Sequence, residues 1–303
     1  IGDLAVVEGL ETAVVVGAGA HLGEAVRPLD AGDEADGAVG RAGVLGIEEA
    51  VVRPEINEIN PDLILALAAA DPKRVVPNID LVRANVKLIN IDHHPTNPLY
   101  GDLNLVRADA NSTSSLVFQV LKEMGHRPSH AASKALFTGL VTDTGCFRFE
   151  GVNSATFRLA AEMCESGIDS YQITQFLFEE HPVERISLER LMLNRLRFLI
   201  GGKVALSELY ISDFKETGAS LSDGENLVNK LRETRGVEVG VLMTKVSENM
   251  TRVSLRSKGH LDVAAIATEF GGGGHRRAAG IKSSLDFSTL QQQLLVAIGK
   301  CLS

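Results

Sequence analysis

The chain reads as an α/β protein of two domains: a larger, mostly parallel α/β sheet domain, then a smaller mixed α/β C-terminal domain, joined by a helical connector. Three observations carry that expectation. The 303 residues exceed what one ordinary core holds. Apolar, strand-like runs alternate with helix-like segments in the first half. After a charged helical stretch, the pattern changes to strands of alternating character. The expected boundaries are 1–182 for the first domain, 183–202 for the connector and 203–303 for the second domain.

The elements follow in order. "TAVVVGAG" (12–19), "PDLILALAAAD" (61–71) and "NVKLINID" (85–92) are short apolar runs of the kind a parallel sheet buries on both faces. "NSTSSLVFQVLKEMG" opens with Asn111 or Ser112 as N-cap, sets Leu116, Val117, Val120, Leu121 and Met124 on one face, and stops at Gly125. "ASKALFTGLV" (132–141) and "SATFRLAAEMCESG" (154–167) are further helices. In "EEHPVERISLERLMLNRLRFLIGG", Leu188, Leu191, Met192, Leu196 and Leu199 recur at helical spacing up to Gly201-Gly202, which makes it the connector. Strands are expected at 203–211, 237–246 and 251–258, and helices at 261–270 and about 286–299.

Composition narrows the function classes. A 45% hydrophobic and 23% charged chain is that of a globular protein, with no apolar run near the roughly 20 residues that span a bilayer. The first residues lack the basic flank of a signal peptide, so the expected place is the cytoplasm. The three cysteines, Cys146, Cys164 and Cys301, are widely spaced without a CxxC and are expected as buried small hydrophobes. A net charge of −9 disfavours a protein that coats long duplex nucleic acid, yet leaves room for a local basic pocket holding a short phosphorylated ligand.

Three stretches carry chemistry. Asp92-His93-His94 ends a buried strand just before Pro95, and in parallel sheets ligands bind beyond such strand ends. Oxygen and nitrogen donors there suit Mn2+, Mg2+, Fe2+ or Zn2+; the alternative is a turn-capping Asp beside two surface histidines. Asp143 in "VTDTGCFRF" is a second carboxylate at a helix end, or simply a turn cap. In "SKGHLDVAAIATEFGGGGHRRAAG", Gly271 to Gly274 follow a helix and precede His275, Arg276 and Arg277. Four glycines expose backbone N–H groups to a phosphate, and Arg256 and Lys258 at a nearby strand end can add charge-assisted contacts.

With these stretches in order, the chain resembles the DHH phosphoesterase family, in the branch with a DHH-associated C-terminal domain. That branch includes bacterial oligoribonucleases that also remove phosphate from 3′-phosphoadenosine 5′-phosphate. "NIDHHPTN" at 90–97, "ANSTSSLVFQVL" at 110–121, "GLVTDTGCFRF" at 139–149 and "VSLRSKGHLDVAAIATEFGGGGHRRAAG" at 253–280 carry the likeness. The resemblance implies a metal-dependent phosphoesterase hydrolysing short oligoribonucleotides, 3′-phosphoadenosine 5′-phosphate or both, by a water activated between two Mn2+ ions, with Mg2+ as the other option. It implies His93 and Asp143 as metal ligands and Asp92 and His94 as catalytic neighbours. Arg256, Ser257, Gly272, Gly273, Gly274 and His275 would hold the substrate. The implied partner is short RNA or a small adenine nucleotide, with neither long duplex nor membrane; a homodimer stays open.

The sequence also departs from the family. The His-x-x-Pro-Asp-x-Asp that follows the first strand in the family is replaced here by "GAGAHLGEAVRPLDAGDEADG", where Asp30 and Asp33 are the nearest carboxylates. The carboxylate implied near Ala68 is displaced to Asp71, and three residues of extended chain span about 10 Å. Asp30, Asp33 and Asp71 are therefore weak metal candidates. The alternative reading is a degenerate member that binds nucleotides with little or no turnover.

Overall fold

The computed structural model describes the backbone of residues 13–17, residues 63–70, Pro72 and residues 86–302. The chain divides into two units, Ile1–Glu180 and His181–Ser303.

In the first unit, β1 (Ala13–Gly17), β2 (Leu63–Leu67), β3 (Lys87–Asp92) and β4 (Leu103–Val106) form a parallel sheet in that order. The runs 63–67 and 87–92 are rich in Leu and Ile, and most of their side chains are buried, as expected where both faces of a sheet are covered. Beside the sheet lies α1 (Thr113–Glu123), whose Leu116, Val117 and Leu121 pack with Ile91 of β3. Of the two candidate N-caps, Ser112 is the one used: its hydroxyl accepts from Ser115 N at 3.0 Å, satisfying one orphan donor of the first turn. Asn111 instead donates its side-chain amide to Thr156 Oγ1 at 2.6 Å. Behind α1 come α2 (His130–Asp143), α3 (Ser154–Cys164) and α4 (Ser170–Phe178), sharing a cluster of Phe118, Phe137, Leu140, Val141, Met163 and Ile173.

The second unit opens with α5 (Val183–Asn194), and here the sequence expectation needs correcting. The helix stops at Asn194 rather than running to 202. Arg197–Leu199 forms β5, an antiparallel edge strand on β6 (Val204–Tyr210). Helical spacing continues through Leu196 and Leu199, but pairing with a neighbouring strand overrides it. Leu188 and Met192 of α5 are fully buried in a core of this unit.

The remaining elements are α6 (Ile211–Thr217), a 3-10 turn (Leu221–Gly224), α7 (Val228–Glu233), β7 (Val239–Ser247), β8 (Met250–Ser257), α8 (Val263–Glu269), β9 (Gly273–His275), β10 (Ala278–Ser283) and α9 (Phe287–Leu302). The six strands run β5-β6-β7-β8-β10-β9, with β6 and β7 parallel and the other pairs antiparallel. Two-residue periodicity divides the core. Val204, Leu206, Val241 and Leu255 face the cluster with Ile266, Leu290 and Leu294. Ala205, Leu209 and Leu242 face the one with Leu188, Phe214 and Leu231. Mixed α/β folding in two units is thus what the structure shows.

Among the described residues, no helix is long and apolar enough to cross a membrane. The cysteines form no disulfide. Cys146 and Cys164 are half-buried, whereas Cys301 is exposed; the last turn of α9 turns it outward, against the expectation that all three are interior.

Candidate functional site

In the first unit the strand-end motif becomes a hydrogen-bonded cluster. Asp92 is the last residue of β3 and is fully buried. Its Oδ1 accepts from the backbone N–H of His93 at 2.7 Å and of His94 at 3.2 Å, and meets His94 Nδ1 at 2.6 Å. Its Oδ2 accepts from Asn97 Nδ2 at 2.7 Å. Burial favours the neutral acid, but the hydrogen bonds from His94 and Asn97 outweigh it and hold the carboxyl below its ordinary value. A carboxylate on Nδ1 fixes the His94 proton there, which leaves the ring's lone pair on Nε2.

His93 points elsewhere, its ring at 73° to that of His94. Its Nδ1 faces the carbonyl of Ala110 at 3.4 Å and its Nε2 lies 3.6 Å from Asp143 Oδ2. Burial and the neighbouring His94 push His93 below the usual imidazole value, so the ring is kept neutral. Asp143, the last residue of α2, is pushed up to about 7: burial dominates, His94 opposes it and Asp92 adds to it. Directly after it, Gly145, Cys146 and Phe147 all take left-handed φ values of 56°, 58° and 59°, ending the helix sharply.

The His93–Asp143 separation is too long for a hydrogen bond. It suits two donors on one cation, since ligands at roughly 2.1 Å from an ion and at right angles or wider lie about 3.0–4.2 Å apart. A neutral imidazole nitrogen and a carboxylate oxygen are the donor types a divalent ion takes. Asp30, Asp33 and Asp71 lie outside the described residues.

Two residues missed in the sequence hold this cluster. Asn97 donates to Asp92 and to Asn90 Oδ1 at 3.3 Å, and accepts from Asn90 Nδ2 at 2.9 Å and from Leu99 N at 2.9 Å. The carbonyl of Ala69, just beyond β2, accepts from Asn97 Nδ2 at 3.4 Å and from the Tyr100 hydroxyl at 2.8 Å. A signal was available: Asn90 is an amide inside an otherwise apolar strand, and such a residue needs a polar partner.

In the second unit the predicted substrate residues gather on three neighbouring strands. Arg256 on β8 is opposite Ala278 on β10, which is opposite His275 on β9. The Arg256 guanidinium donates to Leu255 O at 3.0 Å and to Asn226 Oδ1 at 3.2 Å. Burial, reinforced by the charge of Arg232, lowers it to about 10, with Glu225 opposing. The Ser257 side chain points the other way: it is buried, and its hydroxyl donates to Leu261 O at 2.8 Å, bracing the loop before α8.

Of the four glycines, Gly273 and Gly274 lie in the edge strand β9, and Gly271 and Gly272 lead into it. A Cβ on Gly272 would lie 2.2 Å from Gly280 O, and one on Gly274 would lie 2.5 Å from Ala278 O. Close packing on β10 therefore explains both. At Gly273 a Cβ would meet nothing within 4 Å.

Residues 201–301 match the DHHA1 domain. The bifunctional oligoribonuclease and PAP phosphatase NrnA of Thermus thermophilus is 31% identical over 236 residues, 78% of this chain and 69% of that protein. The NrnA of Bacillus subtilis is 29% identical over 207 residues, 65% of this chain and 63% of that protein. An exopolyphosphatase-related protein from Bacteroides fragilis superposes with a TM-score of 0.78 at 21% identity, covering 97% of this chain and 93% of that one; this likeness shows the fold alone. The chain belongs to the DHH phosphoesterase family, in the branch that carries a DHHA1 domain. Within that branch, the two NrnA proteins are described as bifunctional oligoribonucleases and PAP phosphatases.

Proposed function

We propose that this chain is a metal-dependent phosphoesterase that hydrolyses short oligoribonucleotides, 3′-phosphoadenosine 5′-phosphate or both. The observation that carries it is His93 facing Asp143 beside a His94 anchored on Asp92, in a chain 31% identical to an oligoribonuclease and PAP phosphatase. His93 and Asp143 would hold a divalent cation, Mn2+ by preference and Mg2+ as the other option, with two ions implied by the family. When bound, such ions supply a water of lowered pKa and positive charge at the phosphoryl oxygens. The side chains do the rest. His93 presents a neutral nitrogen, Asp143 a carboxylate that gives up its proton when a cation arrives. Asp92 orients His94 so that Nε2 is turned away from the carboxylate, toward a phosphate oxygen. Arg256 takes negative charge on the substrate, and Gly273 leaves room beside the β9 backbone. With a net charge of −9, short substrates are favoured and long duplexes disfavoured.

One observation favours a second reading, a nucleotide-binding protein without turnover. Ala68, at the end of β2, donates its N–H to Ile91 O at 3.0 Å, next to Asp92. It is where the family's further carboxylate is implied, and alanine supplies no ligand. The deciding experiment incubates the protein with Mn2+ and a labelled RNA dinucleotide beside a His93→Ala control. Mononucleotide release that requires His93 supports the phosphoesterase; binding without release supports the second reading.

A further inference from the structure

We propose that Asn229 and Arg232 of α7 extend the Arg256 site into a nucleotide subsite. In it, the two arginines take a phosphate, and the Asn229 side-chain oxygen accepts a hydrogen bond from the sugar or base of the same ligand. This rests on the reading above that the chain acts on nucleotides.

The register places these groups together. Gly240 on β7 is the partner of Arg256 on β8. A Cβ on Gly240 would lie 2.9 Å from Arg232 N and 3.1 Å from Val228 O, so α7 lies directly over this point because glycine leaves the space. Asn229 and Arg232 are three residues apart on that helix and therefore neighbours on its surface. From the turn before α7, Asn226 accepts from the Arg256 guanidinium, in a left-handed conformation with φ 61°. The cluster thus presents two guanidiniums and the Asn226 amide, with Asn229 three residues before Arg232 on the same helix, and the closeness of the arginine charges is felt at Arg256, which burial and Arg232 together bring down to about 10 against the opposing Glu225. Two like charges held side by side gain from an anion that contacts both.

Asn229 supplies the independent sign of a ligand. Its Oδ1 is buried and accepts no hydrogen bond. Leaving a buried amide oxygen unmet opposes folding, a cost that alanine at the same position would not incur. A site built to hydrogen-bond its ligand has polar groups that stay unpaired until the ligand comes. Beside a phosphate seat, a nucleotide offers two such donors, the ribose 2′-hydroxyl and the exocyclic amine of adenine.

Calorimetry on the full chain tests this with AMP, inorganic phosphate, 2′-deoxy-AMP and IMP. Asn229→Ala is expected to weaken AMP binding about tenfold, or about 1.4 kcal/mol, and to leave phosphate binding unchanged. Arg232→Gln is expected to weaken both. If the 2′-hydroxyl is the donor, Asn229→Ala abolishes the preference for AMP over 2′-deoxy-AMP; if the amine is, it abolishes the preference over IMP. The melting temperature of Asn229→Ala stays equal or rises, which a structural role for the amide would not allow. Wild-type AMP affinity in Asn229→Ala overturns the proposal, as does an equal loss for AMP, 2′-deoxy-AMP, IMP and phosphate. AMP binding in a wild-type chain that releases no mononucleotide from RNA leaves this subsite standing and refutes only the hydrolytic reading.

Discussion

Replacing Asp143 by Asn removes a group whose ionisation opposes folding, and the size of the effect follows from the site. Burial raises this carboxyl from 3.8 to about 7. A rise of that size corresponds to roughly 4 kcal/mol; the side chain keeps 22% exposure, and water at that edge reduces the figure to roughly 2 kcal/mol. The sign is set by proton counting. A folded state with the higher pKa binds more protons than the unfolded chain between the two values, so the contribution is fully present below the unfolded value and is lost as pH rises through 7. Urea unfolding in EDTA, from about pH 4 to about pH 8, should therefore find Asp143→Asn level with the wild type at the acidic end and about 2 kcal/mol more stable at the alkaline end. Adding Mn2+ should reverse that order, because only the carboxylate is a ligand; at a hundred times Kd the wild type gains about 2.7 kcal/mol. If Asp143→Asn proved less stable than the wild type at about pH 8 without metal, the reasoning would be refuted, as it would by a difference that does not change with pH.

Asn97→Ala should leave Asp92 Oδ2 without its partner at zero exposure, costing about 1–3 kcal/mol in urea unfolding. It should also lower kcat more than KM, since the orientation of His94 is affected and the Arg256 region is not. The glycine strand divides into two cases. Gly272→Ala drives a Cβ into the Gly280 carbonyl, and thermal melts should show a loss of about 1–3 kcal/mol or more, the usual cost of overpacking. Gly273→Ala meets no atom; it should melt as the wild type while raising KM for a dinucleotide, and an unchanged KM would remove Gly273 from the ligand contacts.

Much of this arrangement was legible in the sequence. "KLINID" is a strand because its β-branched and leucine side chains suit a covered sheet, and the two prolines after His94 keep the chain from continuing it. Ser112 was one of two candidate caps; the choice fell to it because Asn111 is taken by Thr156 across 45 residues, a distance no local rule covers. The connector illustrates the opposite failure. Leu196 and Leu199 keep helical spacing, yet Arg197–Leu199 joins a sheet, since an edge of β6 was there to be paired. β4 and α7, four and six residues long, carry too little periodicity to be seen before their partners are in place.

The sequence by itself determined the class, because DHH, TDTG and GGGGH name residue types, and residue type dictates which atoms can bind a cation or a phosphate. Tertiary structure decided what each of those atoms does. Asp92 binds histidine and backbone rather than standing in the open, Ser257 braces a loop, and Gly272 and Gly274 are glycines for packing while Gly273 is not. The physical reason is that burial and hydrogen bonding come from residues far apart in the chain. The Ala69 carbonyl meets Asn97 across 28 residues, Arg232 acts on Arg256 from a helix packed over Gly240 of β7, and neither relation is written in any window of sequence short enough to read.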